Sequence, residues 1–294
     1  MMAALLMTAC GHRTSNGNTT DSDSVAADTV PFATDSIYKE REDKNVSVKV
    51  TLCWPKEGGD ALCKSIRRYL SEQLAAALVM EGKPDVKFFD DGTAAAEATV
   101  SRVYKELLSS WQESKADSLP VDDMQYSYAF KAMVLENTDS YVTVCCQNET
   151  FMGGAHGSFT AYGLTFRKSD GKRIGYHTAY NRATEKYELK DQTLFKDPQS
   201  KQLAALIKEG VRSYFKECGE TVDTDEQLKD ELIGIDDVNS IPLPSTPPYF
   251  MKGKLAFAYQ QYEIASYASG IINFDIPFEK VKPFLTPEAA ALIK

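Results

Sequence analysis

A chain of 294 residues with 43% apolar and 26% charged side chains reads as an ordinary globular protein, long enough to bury one large core or two modest ones. Forty-two acidic residues against 33 basic ones give a net charge of −9, which argues against a surface built for a phosphate backbone, so no nucleic-acid partner is expected. No run approaches the roughly 18–20 apolar residues that a membrane-crossing helix needs, so membrane association has to come from an anchor at one end.

Such an anchor is suggested at the start. Residues 1–10, MMAALLMTAC, are a short apolar run that ends in Cys10 behind the small residues Thr8 and Ala9. The junction is similar to a bacterial lipobox, in which the Cys thiol receives diacylglycerol before cleavage; Met7 stands where Leu is usual, and basic residues before the run are missing. The resemblance implies a lipoprotein anchored through Cys10 in the bacterial cell envelope, facing the periplasm or the exterior. Residues 11–37 are rich in Ser, Thr, Asp, Asn and Gly and poor in large apolar side chains. They cannot repay the entropy of ordering and are expected to form a tether.

Folding signals begin with Val46, Val48, Val50, Leu52 and Trp54, which alternate as in a strand with one buried face. The turn PKEGGD ends it, and Leu62, Ile66, Tyr69, Leu70, Leu74 and Leu78 then follow helical spacing up to Gly82 and Pro84. A second helix is predicted over 93–114, with Val100, Val103, Tyr104, Leu107, Leu108 and Trp111 on one stripe. Burying such a set contributes on the order of 9–18 kcal/mol as an upper bound. This strand-helix-helix unit, residues 38–120, is expected to be followed by a second domain over 121–294.

The second part opens with Met124, Tyr126, Tyr128, Phe130, Ala132 and Val134 in alternation, then the β-prone run SYVTVCCQNETF, then two strands around an Asp170, Gly171 turn. Together they read as an antiparallel meander. Pro198 precedes a helix carrying Leu203, Leu206, Ile207, Val211, Tyr214 and Phe215, which Cys218 and Gly219 would cap and whose apolar face is placed to cover one side of the sheet. Alternating strands return at Phe250–Tyr259 and Ile271–Ile276, and Thr286, Pro287 and Glu288 open a final short helix. The fold class expected is α+β: an antiparallel β-sheet domain covered by helices, preceded by the small strand-helix-helix unit packed against it.

Besides Cys10, five cysteines remain, Cys53, Cys63, Cys145, Cys146 and Cys218. An odd number excludes a disulfide framework spanning the chain. A Cys53–Cys63 bridge across the turn is compatible with the spacing, while buried free thiols are the default expectation.

Two segments are distinctive together, FMGGAHGSFTAYGLTF from Phe151 and KLAFAYQQYEIASYASGIINFDIPFEKVKPFL from Lys254. Over residues 124–285 they resemble a family of bacterial extracytoplasmic domains of unknown function that includes the lysozyme-binding C-terminal domain of the anti-sigma factor RsiV. Gly153, Gly154, Ala155 and His156 match a GGAH-type turn, and Tyr262, Glu263, Ile264, Ala265, Tyr267, Ala268 and Gly270 match the YEIA.YA.G element. The upstream unit looks similar, by pattern and order, to the partner domain of the peptidoglycan deacetylase PdaC. The resemblance implies a mixed α/β fold outside the cytoplasmic membrane and recognition at the envelope, with peptidoglycan or a lysozyme-like protein as the partners to expect. It supplies no activity.

The candidate ligand-binding residues are therefore Gly153, Gly154, His156, Tyr262, Glu263 and Tyr267. His156 sits among glycines that let backbone turn tightly, and either meets a ligand at the sheet edge or pins the turn. Tyr262, Glu263 and Tyr267 offer a carboxylate with aromatic neighbours, suited to gripping a sugar or a basic side chain; equally, the tyrosines fill space while Glu263 caps a turn. Cys145, Cys146, His156 and His177 include no short CxxC or HxxxH pair, so neither metal nor other cofactor is expected. Ser158 near His156 is not a triad, and no GxSxG elbow or phosphate loop is present. The leading expectation is a non-enzymatic binding module. The alternatives are a cell-wall-modifying enzyme that pairs His156 with a carboxylate, and a structural envelope lipoprotein.

Overall fold

A computed structural model describes residues 32–56, 60–79, 84–181 and 186–293. Cys10, the apolar segment 1–10, most of the tether, and the turns at Gly58, Gly59 and Gly82 lie outside the described residues. Within them, no helix is long and apolar enough to cross a membrane.

The centre is a six-stranded sheet whose spatial order follows the chain: β1 (Thr34–Glu42), β2 (Val46–Pro55), β3 (Tyr126–Asn137), β4 (Tyr141–Phe151), β5 (Ser158–Arg167) and β6 (Arg173–Ile174). Every neighbouring pair is antiparallel except β2 and β3. Parallel neighbours need a long crossover, and here it is made by the helices α1 (Ala61–Ala76) and α2 (Gly92–Ala116). Asp60 and Asp91 cap these helices by accepting from the Cys63 amide and from the Thr93 and Ala94 amides. The alternating face of β2 (Val46, Val48, Val50, Leu52, Trp54) packs with the predicted helix stripes into one core that extends to Leu164 and Phe166 on β5. The boundary expected near residue 120 thus falls inside a continuous layer, because β3 hydrogen-bonds directly to β2.

β1 corrects the predicted end of the tether. Residues 34–37 are the first part of a nine-residue ladder on β2, from Thr34 opposite Pro55 to Glu42 opposite Ser47. Ile37 is the one aliphatic side chain of this strand packed against the core, and Arg41 lies over the Tyr104 ring; the strand is otherwise mostly polar and exposed, as suits a sheet edge that must not pair with other chains.

After β6 come the hairpin β7 (His177–Asn181) and β8 (Lys186–Lys190), which the sequence pattern did not reveal, then α3 (Lys201–Glu217) and the short α4 (Asp225–Asp230). A three-stranded antiparallel sheet follows, of β9 (Tyr249–Met251), β10 (Lys254–Tyr259) and β11 (Ile272–Pro277), and the chain closes with α5 (Phe278–Val281) and α6 (Pro287–Ala290). α3 packs on β11 rather than on the meander, as part of a second core that includes Leu203, Ile207, Val211, Phe215, Phe257, Tyr259 and Ile276. The meander face that α3 was expected to cover meets β9 instead, which lies across β3, β4 and β5. Gly163 of β5 makes that contact close: a Cβ there would lie 2.5 Å from the Tyr249 ring.

All five cysteines in the described region carry free thiols, so the Cys53–Cys63 bridge is not formed. Burial pushes the Cys53 thiol up to about 12 and those of Cys63 and Cys145 up to about 11, and raises Cys146 as well. Cys218, at the end of α3, is exposed. Under native conditions near pH 8, a thiol reagent is expected to modify Cys218 within minutes and the other four only on unfolding. Peptide mapping after timed iodoacetamide labelling checks this, and early labelling of Cys53 or Cys145 would refute it.

Candidate functional site

The two motifs that stand out in the sequence, more than a hundred positions apart, come together at one end of β5. The first is the connection from β4 to β5. Gly153 and Gly154 have φ of +83° and +84°, conformations that L side chains rarely adopt, and a Cβ on Gly157 would approach the Thr150 carbonyl oxygen to 2.7 Å. These requirements explain the glycines and lift Gly154, Ala155 and His156 into solvent.

The second motif is the loop between β10 and β11, and it is laced to β5 by side chains. The Gln260 amide mimics a strand: its Oε1 accepts from the Ala161 N–H at 3.0 Å and its Nε2 donates to the Ala161 carbonyl at 2.9 Å. Gln261 Oε1 accepts from the Phe159 N–H at 3.0 Å. β6 pairs only with Thr165 and Phe166, so the two glutamines satisfy β5 edge groups that would otherwise be open. Neither glutamine was singled out from sequence, although their position directly between a strand and the YEIA element was a usable signal.

The rings of His156 and Tyr267 stack with centroids 3.6 Å apart and planes 18° from parallel, and Tyr262 lies 5.7 Å from Tyr267 in a tilted arrangement. The Tyr267 hydroxyl donates to the Gly157 carbonyl at 2.8 Å, and His156 Nδ1 faces the same oxygen at 3.0 Å. A carbonyl oxygen only accepts, so in this contact Nδ1 is the donor. Tyr262 is 63% exposed and holds φ +65° without being glycine. A bulky side chain in that conformation is strained. Phe159, 38% exposed, follows the same turn.

Glu263 does not join this surface as a free carboxylate. One oxygen accepts from the Gln260 N–H at 2.7 Å and the other from the Ser245 N–H. It therefore closes its own turn and fixes the Ser245 loop, which is the turn-capping alternative of the two read from sequence. An acid–base pair of His156 with this carboxylate has no support in the geometry: the hydrogen-bond partners of both groups are backbone atoms. Among the described residues no group of three or more His, Cys, Asp or Glu is arranged to hold a metal ion. His177, the other folded histidine, pairs with Asp191 at 3.1 Å.

Residues 192–279 match the model of a family described as protein of unknown function (DUF3298). The matched segment contains the Tyr262–Gly270 motif, whereas the Gly153–His156 turn lies upstream of it. A search of curated proteins finds no match. A crystal structure of a DUF3298 family member from Bacteroides fragilis NCTC 9343 superposes with a TM-score of 0.65 at 17% identity, over 87% of this chain and 94% of that one. A DUF3298 family protein from Pseudomonas aeruginosa PAO1 gives 0.51 at 14% identity, over 90% and 97%. At such identities the likeness speaks for the fold alone: residues 192–279 match the DUF3298 model, and the chain folds like two solved DUF3298 proteins.

Proposed function

We propose that this protein is a non-enzymatic binding module of the bacterial cell envelope, held to the membrane by a lipid on Cys10. It recognises a cell-wall component or an extracytoplasmic protein such as lysozyme through the face formed by His156, Tyr262 and Tyr267. The observation that carries the reading is Tyr262: an exposed aromatic ring kept in a left-handed backbone conformation beside a stacked His–Tyr pair. Aromatic side chains of this kind provide large contact area at low conformational cost and dominate recognition surfaces. The similarity of the two motifs to the RsiV-type domain, and of the first strand and helices to the PdaC partner domain, supports an envelope setting.

Tyr262 separates a binding role from a structural one. Tyr262→Gly is expected to raise the unfolding free energy by up to about 1 kcal/mol, because glycine relieves the positive φ, while weakening binding more than about tenfold, as loss of an aromatic anchor does. Titration calorimetry with muramidase-released peptidoglycan fragments and with lysozyme measures the second effect, and urea unfolding the first. If neither ligand binds the wild type, the named partners are wrong. If Tyr262→Gly binds as the wild type does, the surface is not the one used. Incorporation of labelled palmitate that disappears in Cys10→Ala tests the anchor.

A further inference from the structure

A cleft of about 560 Å³ lies where the two cores meet, and none of His156, Tyr262 and Tyr267 lines it. Its walls come from α1 (Tyr69, Glu72, Gln73), from β5 and β6 (Tyr162, Arg173) and from the loop at Ser245 and Thr246. The volume falls within the range of about 300–1,000 Å³ typical of small-ligand sites, which favour such junctions.

Its chemistry is selective. The arginine and the lysine on the wall already have carboxylates, Arg173 meeting Glu72 at 2.7 Å and Lys172 meeting Glu288 at 2.8 Å, and the His177 ring lies 3.1 Å from Asp191. The Arg173 and Lys172 charges are therefore compensated before any ligand arrives. The groups left without partners among the described residues are neutral: the Gln73 Nε2 amide and the hydroxyls of Ser245 and Thr246. The Gln73 carbonyl oxygen is taken by the Tyr162 hydroxyl at 2.8 Å, which orients the amide. Of the tyrosines on the wall, Tyr162 is half-buried, whereas Tyr69 is buried beneath Arg173, 5.5 Å from its ring, and Tyr176 is buried; Leu164 and the half-buried Pro247 complete the apolar lining.

The walls are also fixed in advance. The Tyr176 hydroxyl donates to the Pro244 carbonyl at 2.8 Å, Glu263 accepts from the Ser245 N–H, and the Thr193 hydroxyl ties together the Arg173 and Gly175 backbone at 3.0 Å. Gly175 lets the Pro247 loop close in, since a Cβ there would stand 3.0 Å from that proline. A preformed cleft loses little entropy when it is filled.

We infer that this cleft binds a short neutral oligosaccharide, whose apolar ring faces lie against Tyr162 and Pro247 while its hydroxyls meet Gln73, Ser245 and Thr246. The lining shares no residue with the face of His156, Tyr262 and Tyr267, and Glu263 acts on it as a positioning residue through Ser245. The test is titration of the ¹⁵N-labelled protein with chitotriose and cellotriose, both neutral, followed by amide NMR. Expected are saturable shifts at Gly163, Gly175 and Thr193, several-fold to about tenfold weaker binding in Gln73→Ala, and at least tenfold weaker binding in Ser245→Trp, whose exposed side chain fills the mouth. Thr246→Trp serves if Ser245→Trp fails to fold. Tyr262→Gly leaves these shifts intact, which separates this site from the one proposed above. The inference is overturned if neither sugar shifts the cleft amides at millimolar concentration, if both tryptophan variants bind as wild type, or if inorganic phosphate or an acidic peptide binds the cleft more tightly than either sugar.

Discussion

Thr165→Val is expected to lower the unfolding free energy by about 1–3 kcal/mol, although it exchanges one hydroxyl for a methyl group of nearly the same size. The reason is a closed circuit of hydrogen bonds between the two sheets. The Phe250 N–H donates to Thr165 Oγ1 at 2.9 Å, the two threonine hydroxyls are 3.0 Å apart, and the Thr143 hydroxyl donates to the Phe250 carbonyl at 2.8 Å. Since Thr143 gives its only proton to Phe250, the Thr165 proton goes to Thr143, and every donor has one acceptor. β9 is an edge strand, so the outward N–H and C=O of Phe250 have no ladder partner, and all three residues are fully buried. Valine at 165 leaves the Phe250 N–H unsatisfied in a dry interface. Valine at 143 instead orphans the carbonyl and the Thr165 proton. The double variant should lose less than the sum of the two, because both act on one circuit. Urea unfolding with an unchanged m value measures all three. A loss below about 0.5 kcal/mol for Thr165→Val would show that water reaches the interface.

That circuit has no signature in the sequence, and the contrast with what was legible is instructive. α1, α2, α3 and the meander were readable because a buried face imposes a period on side chains, as Val100, Val103, Tyr104, Leu107 and Trp111 show. β1 was hidden because it is held mainly by its backbone: of its nine residues Ile37 is the one aliphatic side chain packed on the core, and Thr34–Ile37 read as the end of a polar tether. β7 and β8 form a sheet of two strands only, with no third strand to impose a pattern. The direction in which α3 turns was equally hidden, since an apolar stripe says that a face is buried but not against what.

The candidate site divides along the same line. The glycines and aromatic residues of the two motifs could be picked out, and the structure brings them together. The role of Glu263 could not be chosen, because its partners are the amides of Gln260 and Ser245, and backbone amides are present everywhere in a sequence. The cleft was invisible for a further reason: its walls are drawn from positions between Tyr69 and Pro247 that no local spacing relates.

Gly171→Ala is expected to be the most damaging single-methyl change, at about 2–5 kcal/mol, through two separable causes. Gly171 closes the turn between β5 and β6, where its N–H donates to the Arg167 carbonyl at 2.8 Å, and it holds φ +71°. Placing an L residue there costs about 1–2 kcal/mol by itself. The added Cβ would also lie 2.3 Å from the Ala61 carbonyl oxygen, 2.6 Å from its carbon and 2.9 Å from the Leu62 Cα. These are backbone atoms in the first turn of α1, so no rotamer change relieves the clash, and the turn must move away from the helix. Gly253→Ala supplies the control: φ there is +78°, but nothing stands within 4 Å of an added Cβ, so only the conformational part remains. The excess of Gly171→Ala over Gly253→Ala in urea unfolding is the contact between turn and helix, and an excess near zero would mean that the two are not pressed together. Because Lys172 and Arg173 follow directly and line the cleft opposite α1, the same displacement widens the gap between Arg173 and Glu72. Gly171→Ala should therefore weaken oligosaccharide binding at temperatures where it is still folded, whereas Gly253→Ala, outside the cleft lining, should not.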